Sequence, residues 1–527
     1  EHLPQLTLIV SGRSAEKARA FCASRGTVAA TLVPAHFDRA GDVAAQIAQH
    51  KPDIVLDASG PFQDYGRDAY RLVEACIAAR INYIDLADGA GFVDGIAAFD
   101  DAARAAGIFV LTGVSSFPVL SAAVAKTLAR DYGPIRRVTG GIAPSPYAGV
   151  GANVIRAIAG YAGQEISLGR RRAHALTESL RYTVAPPGLK PLRSIRFSLV
   201  EVPDNLVLAR LWPEAEIWMG AGPVPEILHR ALNLCAHVVK LGIIKSLLPL
   251  APVMDWAVRH LRWGEDRGGM FIEMTDGSRT KSWHLLAEGR DGPRIPSMAV
   301  AAIVEKIVSG VAIPAGARVP LDDVTLDDYN KLFSTRTIYT GFREDVAAEE
   351  PLQKRILGSA WDAIPAVIRD IHDVSHAATA EGRASVKRGT GPLARLAAAI
   401  VGFPPAGDDV PLTVHFGVRG GVEKWTRHFG NHSFSTTQQA GTGRNERLLV
   451  ERFGPLRFAM ALVVEGEKVR LVMRRWSFLG IPLPLWLCVR SDSYEYVDNG
   501  RFSFNVHISH PLAGLIVHYQ GWLQRRT

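Results

Sequence analysis

The first 145 residues alternate short apolar runs with amphipathic stretches, and this alternation constrains the fold more than any other feature of the sequence. Between the apolar runs, residues such as Tyr70, Val73 and Ile77 recur at helical spacing. Repeated strand–helix units require a parallel sheet covered on both faces, because crossover helices join parallel strands. The sequence therefore predicts a doubly wound α/β domain at 1–145. The apolar runs typical of strands lie at 7–10, 28–33, 54–57, 83–86 and 108–112.

Beyond residue 145 the alternation loosens. Proline- and glycine-rich breaks in 146–345 predict an α+β substrate or dimerisation domain, part of which, within 280–345, packs back on the first domain. Residues 346–400 have mostly helical patterns and predict a helical connector. From about 401 the period becomes two, and Asp498-Asn499-Gly500 is a strong hairpin pattern. Residues 401–527 are therefore predicted to form an antiparallel β barrel or sandwich.

Length and composition agree with several globular domains. At about 100–200 residues per domain, a chain of 527 residues holds roughly three. A hydrophobic content of 47% with 21% charged residues excludes disordered, collagen-like and coiled-coil proteins. The four cysteines form neither a disulfide framework nor a CxxC motif, which favours a cytoplasmic protein.

The net charge of +8 comes from the last part of the chain, since 385–527 contains 18 basic and 10 acidic residues. Such a surface attracts phosphates or anionic lipid head groups, or is simply a basic surface with no partner. Segment 227–263 is apolar but interrupted by basic residues, and no stretch reaches the length of a membrane-spanning helix. It is predicted to form amphipathic helices, either at a core or dimer interface or in peripheral membrane contact. No nucleic-acid partner is predicted.

Two loops carry the first indication of a ligand. In an open parallel sheet the ligand lies beyond the carboxyl ends of the strands, where Gly12-Arg13-Ser14 and 57–62 are found. An Arg after the second strand of a dinucleotide fold accommodates a 2′-phosphate, so Arg13 and Ser14 indicate NADP rather than NAD. Gly60 permits close backbone approach and Pro61 stiffens the turn. Ordinary surface turns remain the alternative for both loops.

A dinucleotide fold normally begins with a strand, a G-x-G-x-x-G loop and a helix. In this chain 1–3 has the pattern of the end of that helix, and the second strand follows directly. The sequence therefore predicts that one strand–helix unit, about 25–30 residues, lies upstream. Gly149-x-Gly151 before a helical pattern is a partial match, interpreted mainly as a helix start.

Several sequence blocks follow one another along the chain. They are Gly12-Arg13-Ser14, Asp57-Ala58-Ser59-Gly60-Pro61-Phe62, Tyr65-Gly66, Cys76, Tyr83-x-Asp85-Leu86, Gly113 and Pro118. In this order they resemble the saccharopine dehydrogenase-like family of NADP-binding oxidoreductases, with looser matches at 292–296 and 314–318. The last ~150 residues resemble a β-rich module of unassigned function that is fused to such proteins in bacteria.

The resemblance implies a Rossmann sheet, here lacking its first strand and glycine loop, and a second domain that forms a homodimer. It implies that hydride passes between NADP and a C=N or C=C bond of a small-molecule or lipid-like substrate. Arg13 and Ser14 would contact the 2′-phosphate, and Asp85 with Gly113 would border the nicotinamide pocket. The remaining residues implied to line the cofactor are Ala58, Ser59, Gly60, Pro61 and Phe62.

No residue is assigned as the proton donor, although Tyr65, Asp85 and Asp88 lie on loops that face the predicted cleft. No metal site is predicted, because His507 and His510 would point to opposite faces of a strand. The turn at 85–89 departs from the family pattern, which has small residues and a Glu there. The alternative hypothesis is a non-catalytic lipid- or small-ligand-binding protein on a degenerate Rossmann fold.

Overall fold

Strands and helices alternate along the N-terminal part of the chain, which confirms the α/β prediction. The structure is a computed structural model that describes residues 3–130, 132–169, 171–222, 225–276, 279–344, 350–374, 377–419 and 421–526. Glu1 and His2, part of the predicted helix end at 1–3, lie outside the described residues. The strands are Thr7–Gly12, Thr31–His36, Ile54–Asp57, Asn82–Asp85 and Phe109–Leu111. The helices are Ala15–Ser24, Val43–His50, Arg71–Ala79, Ala90–Gly95, Asp100–Ala106 and Ser121–Ala129.

The parallel strands form two separate sheets. Thr7–Gly12 pairs in parallel with Thr31–His36, while Ile54–Asp57 begins a second sheet of four strands. Within the described residues no strand pairs with both sheets, and the facing edges leave Leu8 and Leu56 about half exposed. In the classic strand order the first strand lies between these two edges. The fold class predicted from the sequence, a parallel sheet without its first strand, is therefore confirmed.

The following part of the chain builds a mixed seven-stranded sheet. From edge to edge its strands are Ile338–Glu344, Thr280–Glu288, Arg267–Thr275, Arg137–Ala143, Glu216–Ala221, Ile195–Leu199 and Ser179–Tyr182. The ribbon Glu165–Leu168 with Arg171–His174 lies apart from it. The helices are Ala152–Tyr161, Asp204–Leu211, Glu226–Lys240, Ala251–His260, Met298–Val308 and Leu326–Phe333.

The mixed sheet and the four-stranded parallel sheet share one hydrophobic core. Leu111 and Leu120 of the N-terminal part lie in the same buried cluster as Ile272 and Trp283 of the mixed sheet. The chain also returns to the parallel sheet, because Gly316–Arg318 pairs in parallel with Phe109–Leu111. This shared core fixes the loops at the carboxyl ends of the parallel strands against the second layer.

The C-terminal part is a closed antiparallel barrel. Among the described residues ten strands each pair with the next along the chain, and the last, Gly514–Arg525, pairs with the first, Ala377–Arg388. Short helices Leu352–Leu357 and Ala366–His372 cover one end, and Pro392–Val401 covers the other. The other strands are Gly407–Arg419, Val422–Phe429, His432–Ala440, Leu449–Phe453, Leu456–Glu465, Lys468–Phe478, Arg490–Asp498 and Arg501–His510, with Ile481–Leu483 added at one edge.

The sequence-based prediction of a helical connector at 346–400 is wrong for part of that segment. Ala377–Arg388 is a barrel strand with neighbours on both sides. Its interior positions include Ala380 and Ala384, which are buried but small, so the alternation of large apolar and polar residues that marks a strand is weak here. Barrel closure, rather than local propensity, determines this strand.

Buried guanidinium groups fasten the barrel to the mixed sheet. The Arg343 side chain donates hydrogen bonds to the carbonyl oxygens of Ala185, over 2.5 Å, and Ile356, over 2.8 Å. From the barrel wall, Arg474 donates to the Pro191 carbonyl over 2.9 Å and to Glu265 over 2.5 Å. Charged hydrogen bonds of this kind are stronger than neutral ones and hold the two parts together.

The predicted amphipathic segment 227–263 forms the helices Glu226–Lys240 and Ala251–His260. One face of it packs in a hydrophobic core through Ala236 and Val239, and another face is exposed. Leu234 and Trp256 are 68% and 55% exposed. The other exposed apolar residues of this face are Ile227, Leu241, Ile243, Val253 and Trp263. No helix in the described parts of the chain is both long enough and apolar enough to cross a bilayer.

Candidate functional site

The loops at the carboxyl ends of the parallel strands converge at one place, as the sequence predicts for a parallel sheet. The Gly113 backbone N–H donates to Asp85 Oδ1 over 2.8 Å, so these two predicted residues are in direct contact. The Ala87 N–H and the Thr112 hydroxyl donate to the same oxygen over 2.9 and 3.0 Å. Asp85 therefore ties the ends of two neighbouring strands together.

Asp85 is completely buried, which decides its role in the site. Burial raises its pKa to about 7, against the three hydrogen bonds that favour the carboxylate. Its second oxygen, Oδ2, has no hydrogen-bond partner among the described residues. At Gly113 the backbone has φ of 65°, and a Cβ there would lie 3.1 Å from Pro118 Cδ, so only glycine fits without strain. Asp85 and Gly113 thus position the loops.

A second network holds the loop that follows strand Ile54–Asp57. The Ser59 hydroxyl donates to Asp57 Oδ1 over 2.5 Å and lies 2.7 Å from the Tyr65 hydroxyl. The Arg39 guanidinium lies 3.3 Å from the Tyr65 ring centroid and 3.5 Å from Asp57 Oδ2. Burial, together with the charge of Asp57, raises the pKa of Tyr65 to about 12, so the phenol stays protonated.

The first residues of the predicted cofactor loop, which follows strand Ile54–Asp57, are accessible to a ligand. Ala58 and Ser59 are exposed, Gly60 and Pro61 are half-buried, and Phe62 is buried. The Phe62 ring packs against Phe92 and Tyr65, with centroids 5.0 and 5.1 Å away. The exposed backbone of this loop is therefore supported from below by an aromatic cluster.

Arg13 and Ser14 lie at the carboxyl end of strand Thr7–Gly12. The Ser14 hydroxyl accepts a hydrogen bond from the Lys17 backbone N–H over 3.2 Å and so caps the helix Ala15–Ser24. Arg13 is exposed. Ser14 has a structural role in the protein as it stands, and the guanidinium of Arg13 is accessible to a phosphate.

The mixed-sheet part contributes residues to this place that sequence reasoning missed. Asn153, at the start of helix Ala152–Tyr161, donates to the Gly60 carbonyl over 3.0 Å. Arg156 on the same helix forms an ion pair with Asp64 over 2.8 Å. The partial motif Gly149-x-Gly151 therefore begins a helix that starts beside the predicted cofactor loop.

Glu201 is the most informative of the missed residues. It follows the buried strand Ile195–Leu199, and its Oε1 accepts a hydrogen bond from the Ala90 backbone N–H over 3.0 Å. Burial, with the charge of Asp88, raises its pKa to about 7. Burial, together with the charges of Glu201 and Asp88, raises the pKa of Tyr161 above its ordinary range. The signal in the sequence was a carboxylate directly after an apolar strand.

Comparison with known protein families decides the nature of the N-terminal part. Residues 1–111 match the family model "Saccharopine dehydrogenase NADP binding domain". This part of the chain is therefore similar to a saccharopine dehydrogenase-type NADP binding domain. Residues 364–523 match "Domain of unknown function (DUF4166)", which covers the barrel. The NADP binding domain places the chain, in general terms, among NAD(P)-dependent oxidoreductases.

Comparisons with whole proteins add little. None of the curated proteins matches the sequence. A dehydrogenase from Chromobacterium violaceum is 11% identical, with 53% of this chain and 67% of that chain covered and a TM-score of 0.23. GenD2 from gentamicin A biosynthesis, in complex with NAD, is 13% identical with 64% and 88% covered and a TM-score of 0.28. Rv2717c from M. tuberculosis is 14% identical with 31% and 99% covered and a TM-score of 0.19. TM-scores of this size support no inference about function.

The residues of the NADP binding domain suit a nicotinamide dinucleotide. An exposed guanidinium, Arg13, lies at one end of the row of loops, and exposed backbone at Ala58 and Ser59 lies at the next strand end. Glu201, in the mixed-sheet part, has a buried Oε2 without a hydrogen-bond partner among the described residues. The exposed guanidinium of Arg13 is the kind of group that binds a phosphate.

Proposed function

We propose that the protein is an NADP-dependent oxidoreductase that reduces a C=N or C=C bond of a small-molecule or lipid-like substrate. The observation that carries the proposal is the contact between Glu201 and Ala90, which brings an acid with a pKa of about 7 to the strand-end loops of the NADP binding domain. NADPH supplies the hydride when it is bound. The residues of the chain must then bind it, orient it and deliver a proton.

In this proposal Arg13 recognises the adenosine 2′-phosphate and the 58–62 loop lines the cofactor. Guanidinium groups bind phosphates through short, charge-assisted hydrogen bonds. We therefore expect NADPH, which carries the 2′-phosphate, to bind more tightly than NADH. Asp85, Gly113 and Asn153 hold the loops in position through the contacts described above. None of these residues needs to change its protonation state during the reaction.

Glu201 is proposed as the proton donor. Reduction of an imine or of a conjugated double bond leaves a basic atom that requires a proton. With a pKa of about 7, Glu201 holds a proton over the acidic half of the physiological range and releases it readily. Asp88 lies close enough that its charge favours the protonated form of Glu201.

The test is a fluorescence titration of NADPH and NADH, followed by assays with two probe substrates. The cyclic imine 2-methyl-1-pyrroline represents C=N bonds, and 2-cyclohexen-1-one represents C=C bonds. NADPH binding at least about tenfold tighter than NADH binding, with NADPH oxidation in the presence of one probe, supports the proposal. Absence of binding for both nucleotides contradicts it and favours the non-catalytic alternative.

We propose as a second candidate function that the helices Glu226–Lys240 and Ala251–His260 dock on an anionic membrane surface. Exposed Trp256 and Trp263 are the residue type that anchors proteins at lipid interfaces. Both acidic residues of these helices are paired, Glu226 with Arg230 and Asp255 with Arg259, over 2.7 and 2.8 Å. The remaining charged residues nearby, Lys240, Lys245 and Arg262, are basic and complement anionic head groups.

Vesicle flotation tests this second candidate. The chain is expected to float with phosphatidylglycerol vesicles at low salt and much less at high salt, and a double variant Leu234→Asp with Trp256→Asp should not float. Val311→Asp, which alters an exposed apolar residue elsewhere, is the matched control. If the double variant instead converts a dimer to a monomer in sedimentation, with no vesicle binding by either protein, the face is a dimer interface.

A further inference from the structure

The C-terminal barrel encloses a cavity of about 270 Å³. Most of its wall is apolar, and aromatic rings from seven strands and one loop contribute to it. An apolar cavity of ~150 Å³ is enough to bind benzene, so this cavity has room for a larger molecule. The aromatic residues that contribute most are Phe403, Phe429, Phe453, Phe458, Phe502 and Phe504.

One region of the cavity wall is polar. Glu451 is buried and faces Gln438 on the neighbouring strand, whose amide donates to Glu451 Oε1 over 3.1 Å. Thr436 donates to the same oxygen over 2.8 Å, and the Arg427 guanidinium lies 3.5 Å away. Arg427 also covers the Phe434 ring, with its guanidinium carbon 5.4 Å from the centroid. The wall therefore holds fixed polar groups within an apolar interior.

A second polar group comes from the helices that cover one end of the barrel. His372 Nε2 lies 2.8 Å from Glu495 Oε2 and 3.1 Å from Gln353 Nε2, and Gln353 and Glu495 line the cavity. Gln353 is 4% exposed, yet its amide oxygen has no partner among the described residues. If the Gln353 amide is rotated by 180°, its NH2 group takes the place of the oxygen and is the group without a partner. A buried amide with one atom unsatisfied costs stability unless a ligand or water completes it.

The polar and apolar parts lie toward opposite ends. The Leu352 backbone N–H donates to Glu423, which lies next to the turn that ends strand Gly407–Arg419, so Gln353 belongs to that end. Helix Pro392–Val401 precedes the same strand and therefore covers the other end. There Ala397, Ile400 and Val401 line the cavity. A ligand in this cavity meets carboxylate and amide groups at one end, and mainly apolar side chains with the Ser491 hydroxyl at the other.

The charges on the wall select the kind of polar group that the ligand carries. Glu451 and Glu495 are carboxylates and line the cavity, whereas Arg427 is the one guanidinium among the lining residues that the structure describes. Arg427 is already paired with Glu451. An anionic head group would find no unpaired cation among the lining residues that the structure describes, and its burial in an apolar interior is costly. A neutral hydroxyl donates its one hydrogen to a carboxylate or to the Gln353 oxygen and also accepts a hydrogen bond, so it can pair with either orientation of the Gln353 amide.

We propose that the barrel binds one neutral amphipathic small molecule, with a hydroxyl head group at Gln353 and Glu495 and an apolar body among the phenylalanine rings. This site is separate from the proposed cofactor cleft and does not depend on the oxidoreductase proposal. The exposed Leu393 and Leu396 of helix Pro392–Val401, with Leu479, Trp486 and Leu512 nearby, surround the apolar end. Apolar ligands enter from that end.

Calorimetric titration of the full chain with octan-1-ol and with octanoate tests the proposal. We expect octan-1-ol to bind with a stoichiometry of one and octanoate to bind at least about tenfold more weakly. Equal or tighter binding of octanoate overturns the assignment of a hydroxyl head group. Absence of saturable octan-1-ol binding overturns the site itself, because partition onto exposed apolar residues does not saturate at one molecule.

Variants locate the binding in the cavity. Met460→Trp adds bulk to the lining and is expected to abolish octan-1-ol binding, and Val414→Phe is a smaller change for use if the first variant does not fold by circular dichroism. Gln353→Leu is expected to weaken octan-1-ol binding about five- to tenfold. Val311→Ala, at an exposed apolar position outside the barrel, is the matched control. Unchanged binding in a folded cavity-filling variant contradicts the proposal.

Discussion

Asn153 donates a hydrogen bond to the carbonyl oxygen of Gly60 over 3.0 Å, and this bond joins the start of helix Ala152–Tyr161 to the loop proposed to line the cofactor. The helix belongs to the mixed-sheet layer and the loop to the parallel-sheet layer. The geometry of the cofactor loop therefore depends on a residue about ninety positions further along the chain.

Asn153→Ala is expected to weaken NADPH binding about two- to fivefold. The 58–62 loop loses the hydrogen bond from the Asn153 side chain, while the other contacts of the site remain. The free energy of unfolding should change by less than about 1 kcal/mol, since Asn153 is exposed. Nucleotide titration and urea denaturation measure the two effects. Val154→Ala, at the exposed neighbouring position, serves as control and should change neither.

Arg13→Ala is expected to weaken NADPH binding at least about tenfold and to leave NADH binding within about twofold. The charged hydrogen bonds from a guanidinium to the 2′-phosphate contribute about 1.5–3 kcal/mol, and NADH lacks that phosphate. Titration of both nucleotides against the variant measures the difference. Arg19→Ala, which removes a charge from the exposed face of the adjacent helix, controls for general electrostatics. An equal loss for both nucleotides would refute the role of Arg13.

Glu201→Gln is expected to reduce the rate of NADPH oxidation with the active probe substrate by about 10²–10⁴. In the unmodified protein the rate should fall as pH rises through about 7, because the acid with that pKa loses the proton it delivers. The variant should show no such fall, since an amide does not titrate in this range. The test is to measure the rates of both proteins between pH 5.5 and 9. A variant whose rate still falls through about pH 7, as in the unmodified protein, would exclude Glu201 as the donor.

Asp85→Asn should change how stability depends on pH. Burial raises the Asp85 pKa from the ordinary 3.8 to about 7. As pH rises, Asp85 therefore loses its proton at a lower pH in the unfolded chain than in the folded protein. The contribution of Asp85 to the free energy of unfolding therefore falls between about pH 4 and 7 and is constant above that. Its total change is on the order of 4 kcal/mol at 1.36 kcal/mol per pKa unit.

Denaturation of both proteins at pH 5 and pH 8 tests this prediction. At pH 5 the variant should be less stable, because its amide places two N–H donors where the protonated acid places one O–H, at a position without a partner among the described residues. At pH 8 the difference should shrink or reverse, because the unmodified protein then carries a buried charge. Glu201 and Asp204, whose pKa values burial also raises to about 7, contribute equally to both proteins and cancel in the comparison. A difference that stays constant between the two pH values would contradict the raised pKa.

Local patterns were sufficient for much of the fold. Strand Ile54–Asp57 occurs where the apolar run predicts it. Strand Ala377–Arg388 was missed because its interior residues are small. This strand is stabilised by neighbours on each side within the barrel, and such neighbours leave no trace in a local window.

Some residues of the candidate site were predicted from local patterns, and others depend on contacts between distant parts of the chain. The loops around Ser59 and Asp85 were predicted, because the carboxyl ends of parallel strands always meet at one edge of the sheet. Glu201 was missed because its contact with Ala90 joins residues 111 positions apart. The residues that line the barrel cavity were also beyond reach, since the cavity requires the pairing of the last strand with the first.

The guanidinium groups of Arg343 and Arg474 make the barrel a fixed neighbour of the oxidoreductase part rather than a tethered one. Separating the two parts would break these hydrogen bonds. A molecule held in the barrel is therefore not carried to the proposed cofactor cleft on a swinging arm.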